Sequence, residues 1–164
     1  MSLEIERKFL VNTSLWHPDP SRGIRYRQGY LSTDPARVVR VRTAGPAGFI
    51  TVKGKTIDTV RSEYEYAIPL ADADAMLDGL CLRPLIEKVR YREDVADLSW
   101  EVDVFEGDNA GLVVAEVELP DARAEVTLPP WAGKDVSADP RYFNSNLVRH
   151  PFTQWSTDGD IARG

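Results

Sequence analysis

Glu4-Ile5-Glu6-Arg7-Lys8, running on into Phe9-Leu10-Val11, decides how this chain is read. As a strand it alternates faces with a period of two, so Glu4, Glu6 and Lys8 point one way. Ile5 and the aliphatic stem of Arg7 point the other. The apolar run that follows places the strand in a sheet rather than in a solvated tail. Two acids and a lysine on one face could arise by chance. Their weight comes from later segments that repeat the design.

Residues 24–31 form the next strand and stop at the breaker run Ser32-Thr33-Asp34-Pro35. In 37–43, Val39 and Val41 stand opposite Arg40 and Arg42, and Gly45-Pro46-Ala47-Gly48 then makes a hairpin connection. In 49–55 Thr51, Lys53 and Lys55 share a face; in 61–68 Glu63 and Glu65 oppose Tyr64 and Tyr66. Residues 85–92 align Lys88, Arg90 and Arg92; 100–105 set Glu101 and Asp103 against Trp100, Val102 and Val104; 113–119 align Glu116 and Glu118. Between the fifth and sixth strands the period changes: Leu70, Ala73, Met76, Leu77 and Leu80 mark an amphipathic helix over 70–80. A short helix over 141–148, capped by Ser137, offers Tyr142, Phe143 and Leu147 for docking. Residues 12–23, with Trp16 and His17, read as a loop packed over one end of the sheet. Eight strands on short turns predict a β-dominated α+β fold, an eight-stranded antiparallel closed β-barrel with flanking helices.

The charges decide which face is inside. Ile5, Val39, Val41, Ile50, Val52, Tyr64, Tyr66, Val89, Tyr91, Val102, Val104, Val117 and Leu119 share the opposite face and need cover, part of which the two helices supply. An ordinary sheet would solvate its charged face. Here charges pair two apart in strand after strand: Glu4/Glu6, Arg40/Arg42, Glu63/Glu65, Lys88/Arg90, Glu101/Asp103 and Glu116/Glu118. Like charges on neighbouring same-face positions repel, a cost that a ligand of opposite sign offsets. The expected arrangement has a charged lumen and an outer hydrophobic core. Acids and bases that converge suit an anion bridged by a divalent metal.

Composition excludes several classes. At 164 residues the chain fits one domain able to bury a core. Met1 to Val11 holds no apolar leader and no run approaches a membrane span, so a cytoplasmic location is expected. Cys81 is the sole cysteine, which excludes an internal disulfide and a multi-cysteine metal site; its apolar neighbours make it a buried structural thiol. A net charge of −6 argues against a general nucleic-acid binder. No Gly-rich phosphate loop precedes a helix, and His17 and His150 are too far apart to make a metal site. Arg25, Arg27, Lys55 and Arg92 are either rim or plain surface. Residues 1–150 form the domain; in the tail, 151–164, Phe152 and Trp155 can anchor and the rest reads as disordered.

Taken together, Glu4-x-Glu6-x-Lys8 with Gln28-Gly29-Tyr30, Arg40-x-Arg42, Thr51-x-Lys53, Glu63-x-Glu65, Lys88-x-Arg90, Asp103-x-Phe105, Glu116-x-Glu118 and Tyr142-x-Asn144 resembles the CYTH domain, or triphosphate tunnel metalloenzymes, in its short bacterial single-domain form. The resemblance implies an eight-stranded tunnel that binds a triphosphate with Mg²⁺ or Mn²⁺. It implies that Lys8, Arg40, Arg42, Lys53, Lys88 and Arg90 hold phosphate oxygens, and that Glu4, Glu6, Asp103, Glu116 and Glu118 hold metal. Lys8, Lys88, Glu63 and Glu65 are the implied catalytic residues. Acids outnumber bases in this set, so a polyanion should enter poorly until metal arrives. The expected reaction is metal-dependent hydrolysis of inorganic tripolyphosphate to pyrophosphate and phosphate. Thiamine triphosphatase, adenylate cyclase and a non-catalytic polyphosphate-binding module are the alternatives. The partner is a small anionic triphosphate, with no nucleic acid and no membrane; a homodimer is admitted. The inorganic substrate is preferred because Trp16, Trp100 and the tyrosines fall in loops or on the opposite face, although Trp16 or Tyr30 could reach the mouth.

Overall fold

In the computed structural model, which describes residues 2–158, β1 (Ser2–Val11) closes the sheet because three strands pair with it. Ser2–Ile5 run antiparallel to β5 (Val60–Ile68), and residues 6–10 run antiparallel to β8 (Val113–Glu118). Phe9 and Val11 also pair with a four-residue strand, β9 (Ala132–Asp135). The remaining wall is β2 (Ile24–Ser32), β3 (Arg37–Ala44), β4 (Ala47–Gly54), β6 (Ile86–Val95) and β7 (Leu98–Phe105). The order β5-β4-β3-β2-β6-β7-β8-β1, returning to β5, is a closed eight-stranded antiparallel barrel, with β9 added on β1. Every junction but β2–β6 and the two made by β1 joins sequence neighbours.

The period of two carries the expected faces. Register places Lys8 opposite Glu116, Tyr30 opposite Arg40, Thr51 opposite Glu65, Lys53 opposite Glu63 and Arg90 opposite Asp103, all pointing inward. Outward side chains form two separate cores. Phe9, Trp100, Val102, Ala115 and Val117 are covered by Trp16 from the 12–23 loop and by Leu119 and Trp131 from the connection to β9. Trp16 lies edge-on to Tyr91 and donates to Glu93 Oε1 at 3.1 Å, so it sits on the outer wall and not at a mouth. The helix α1 (Leu70–Gly79) packs Ala73 and Leu77 over Val41 beside Cys81. It lies so close that a Cβ on Gly48 would stand 2.9 Å from Ala73 Cβ. Arg27 straps α1 to the wall through Asp74 and Asp78, and Arg25 pairs with Glu106; both point outward, so neither is a rim residue. Val52, Tyr64 and Tyr66 remain exposed, contrary to the expectation that the whole apolar face is covered.

The second helix, α2 (Asn144–Arg149), departs further from expectation. It does not cover the wall; it plugs the barrel. Leu10, Tyr30, Val38, Ile86, Phe105 and Val114 occupy inward positions, and they pack on Tyr142, Leu147, Val148 and Trp155. The lumen is therefore charged along part of its length and apolar at the plugged end. Ser137 does not cap a helix: its Oγ accepts the Lys8 N–H at 2.8 Å, while Asp139 caps the 3₁₀ turn Pro140–Tyr142. Phe152–Asp158 is a 3₁₀ segment, with Trp155 against Tyr142 at 5.1 Å between ring centres, so this part of the tail is ordered. Residues 159–164 of the tail lie outside the described residues. Among the described residues no helix is long and apolar enough to cross a membrane.

Candidate active site

Glu4, Glu6, Lys8, Arg40, Lys53, Lys88, Arg90 and Glu116 line one cavity, between the α2 plug and the turn that joins β4 to β5. It lies where β1 changes partners. The β5 pairing ends at Ile5, and Lys8 completes its main chain through Ser137 Oγ and through Val136 N–H, which donates to Lys8 O at 2.8 Å. Thr56, Asp58, Thr59 and Arg61 border the same space.

Each base is tied to an acid. Lys53 Nζ meets Glu4 Oε2 at 2.8 Å, and Lys8 Nζ meets Glu116 Oε1 at 3.4 Å. Asp103 lies beneath, with Arg90 forked onto both its oxygens at 2.7 and 2.9 Å and Lys88 Nζ on Oδ2 at 2.8 Å. Arg42 and Glu65 are deeper along β3 and β5 and pair at 3.2 Å; Glu65 also accepts from Thr51 Oγ1 at 2.9 Å and stands 3.6 Å from Arg40. Glu118 faces a second cleft with Tyr26, Arg92 and Glu101, and Arg90 borders both spaces. Arg92, on the border of that second cleft, is exposed and pairs with Asp94 at 3.1 Å.

These pairings leave the acids unequal. Burial, and then Glu116 and Glu4, push the Glu6 carboxyl up to about 8; it makes no hydrogen bond among the described residues. Burial opposes ionisation of Glu116, but Lys8, Arg90 and Lys88 outweigh it and hold the carboxyl well below the usual range. Glu63 and Glu118 are raised, chiefly by burial and then by Glu4. Burial pulls Lys88 down to about 8 in spite of Asp103. For Lys8 the same burial is outweighed by Glu116 and Glu6, which raise it. Glu4 Oε1 is buried without a partner. This donor set fits a divalent cation: a protonated or orphaned carboxylate oxygen on each of two neighbouring residues is what a hard cation would relieve. Among the described residues no three acid, histidine or cysteine groups already form a metal site. Water and ligand oxygens would complete the shell, as Mg²⁺ prefers.

The CYTH domain family model matches residues 2–150. The chain belongs to the CYTH family. Among relatives of this CYTH chain, an inorganic triphosphatase of Acetivibrio thermocellus is 47% identical over 93% of the chain and 97% of its own length. An inorganic triphosphatase of Nitrosomonas europaea is 37% identical, covering 88% and 96%. A crystal structure of an inorganic triphosphatase superposes with a TM-score of 0.61 at 35% identity, over 90% of the CYTH chain here and 95% of that one.

Three neutral side chains of the site were not among the expected residues. Gln28, fully buried, donates to Tyr30 Oη at 3.3 Å and to Asn144 Oδ1 at 3.1 Å, and Lys88 Nζ donates to the same Asn144 oxygen at 3.2 Å. Gln28, Tyr30 and Asn144 stand inside the motifs that carry the resemblance, but none of them bears a charge. The lumen also holds more aromatic rings than expected. Tyr26 lies under Arg42 and Arg90 at 5.2 and 4.7 Å, and Phe49 under Arg42 at 5.5 Å.

Proposed function

We propose that this chain is a divalent-metal-dependent triphosphatase that cleaves inorganic tripolyphosphate with water to pyrophosphate and phosphate. One observation carries the reading: bases from β1, β3, β4 and β6 converge with the carboxylates of β1 and β8 on a single cavity inside a closed barrel. The names of the two curated relatives support it.

Phosphoryl transfer asks a protein for in-line positioning and charge neutralisation more than for covalent chemistry. Lys8, Arg40, Lys53, Lys88 and Arg90 bind the non-bridging oxygens from different sides of the wall and so fix the chain of phosphates across the cavity. Arg42, two residues further along the same strand as Arg40, takes the far end. Glu4, Glu6 and Glu116 hold the cation, Mg²⁺ or Mn²⁺, with Glu118 and Asp103 behind them. When bound, the cation neutralises charge that develops on the phosphoryl oxygens and lowers the pKa of coordinated water. Glu65 braces Arg40 and Arg42. Glu63, opposite Lys53 on the neighbouring strand, adds a second carboxyl beside the lysine that Glu4 pairs until substrate displaces it. Every base must release a carboxylate to take a phosphate, so cation and anion bind best together.

The inorganic substrate survives the finding of lumen aromatics for a physical reason. Tyr26 and Phe49 already carry arginine over their rings, and Tyr30 is buried with its hydroxyl accepting from Gln28, so these rings offer less to a base or thiazolium than an open aromatic platform would. The test is phosphate release from tripolyphosphate, thiamine triphosphate and ATP, with Mg²⁺ and with excess chelator. Turnover of tripolyphosphate that needs the metal is expected. Undiminished turnover in chelator would overturn the metal role, and failure with every triphosphate would overturn the function.

A further inference from the structure

We infer that Asn144 is a positioning residue for Lys88, held there by the C-terminal plug; the kinetic part of this inference rests on the function proposed above. Lys88 is 2% exposed, and its ammonium has three N–H donors to place. Asp103 Oδ2 takes one at 2.8 Å and Asn144 Oδ1 another at 3.2 Å. The third is left for the cavity that Lys88 and Asn144 line.

The orientation of both amides follows from that lysine. An ammonium only donates, so Asn144 must present oxygen to it. That oxygen also accepts from Gln28, so Gln28 must present its Nε2 group, which donates onward to Tyr30 Oη. Gln28 is wholly buried on β2 and its Oε1 has no partner, a desolvation cost that a chain selected for stability alone would avoid. The arrangement aims one lysine and leaves the Asn144 amide nitrogen without a partner among the described residues, on the cavity side.

The plug grips a second inward lysine as well. Lys8 Nζ donates to Tyr142 O at 3.1 Å, so a three-residue segment touches both ammonium groups. Asp139 caps the turn before it, Leu147 and Val148 pack into the barrel end, and Trp155 stacks on Tyr142 while donating to His150 O at 3.0 Å. A segment placed by apolar packing thereby sets two charged groups on different strands of the wall.

The test has two arms. In ¹⁵N-labelled protein the Lys88 ammonium signal, assigned by its loss in Lys88→Ala, should be protected from solvent exchange. Asn144→Ala should broaden it away, and Asn144→Asp, which keeps the oxygen, should retain it. In kinetics with Mg²⁺ and tripolyphosphate, Asn144→Ala should lower kcat about tenfold and change KM less than about twofold. In a Lys88→Ala background the same substitution should change kcat less than about twofold, because the lost effect runs through Lys88. An unchanged ammonium signal, or equal losses in both backgrounds, overturns the inference. Should Asn144→Ala not fold, Asn144→Ser, whose hydroxyl is one bond too short, is expected to behave alike. A wild-type protein without triphosphatase activity would remove the proposed function and leave the ammonium signal to decide the positioning.

Discussion

Glu6 shows what the site costs the protein when empty. Its folded-state carboxyl titrates near 8 against an ordinary value of 4.5, so between those pH values the folded chain keeps a proton that the unfolded chain has released. The Glu6 contribution to the stability of the metal-free protein must therefore fall as pH rises through that window, while Lys88, pulled down to about 8, acts only above it and in the opposite sense. Glu63 and Glu118 tilt the curve the same way, whereas Glu116 and Asp103, held low, act below the window. Thermal melts at pH 5.5 and pH 8 should show the drop, and Glu6→Gln should flatten it. Mg²⁺ should raise Tm more at pH 8 than at pH 5.5. A rising Tm across this window in the wild type refutes the account. Lys88 gives the second prediction at this scale. Lys88→Ala should lower kcat about 10²-fold through loss of a preorganised contact to the reacting phosphate, while Arg92→Ala, at an exposed rim pair, should stay within about threefold. Steady-state kinetics that rank Arg92→Ala as the worse variant would reverse the assignment. Charged residues such as these were legible in the sequence because a period of two sorts them onto one face. Gln28 and Asn144 were not, since neither carries charge and their contact spans 116 positions.

Among the elements, eight strands and the 70–80 helix were readable from period alone, and their registers agree with the faces expected. β9 was missed because Pro129-Pro130 precede it and Gly133 sits inside it, and four residues cannot establish alternation. The position of α2 was missed for a different reason. Tyr142, Leu147 and Val148 announce an apolar face, but nothing local states whether that face meets the wall or the barrel end. What decides it is the apolar ring of Leu10, Tyr30, Val38, Ile86, Phe105 and Val114, one residue from each of six strands, visible only once the strands are aligned. The tail follows from the same ring. Trp155 is 2% exposed and closes the plug from behind, so Trp155→Ala should cost about 3–5 kcal/mol, by loss of buried area and by the cavity left. Chemical denaturation should show this loss, with kcat reduced as the Tyr142–Asn144 segment loosens. Stability within about 1 kcal/mol of wild type would mean that the tail is dispensable.

For the whole molecule, the closed wall and the plug give a site of fixed width lined by bases, which favours a linear anion over one with a bulky organic end. Tripolyphosphate should therefore show a kcat/KM at least about tenfold above that of ATP under the same metal and pH, worth roughly 1.4 kcal/mol of transition-state binding. Equal or better catalysis with ATP would point to a recognition surface elsewhere. That choice was legible in outline from the lumen charges; that arginines lie over Tyr26 and Phe49 was not, since cross-strand contact needs the register. The triple pairing of β1 also fixes when the site can exist during synthesis. β2 to β5 and β6 to β8 are neighbours in sequence, and each set can pair as it emerges. β1 leaves the ribosome first, yet residues 6–10 await β8, and Lys8 awaits Ser137, 129 positions later. Glu4 and Glu6 cannot face Glu116 before then. Barrel closure and assembly of the active site are thus one late, long-range event, of the kind that folds slowly and leaves sheet edges open meanwhile. A nascent chain that stalls before β8 would hold a curved sheet, but not the cavity proposed to take the triphosphate.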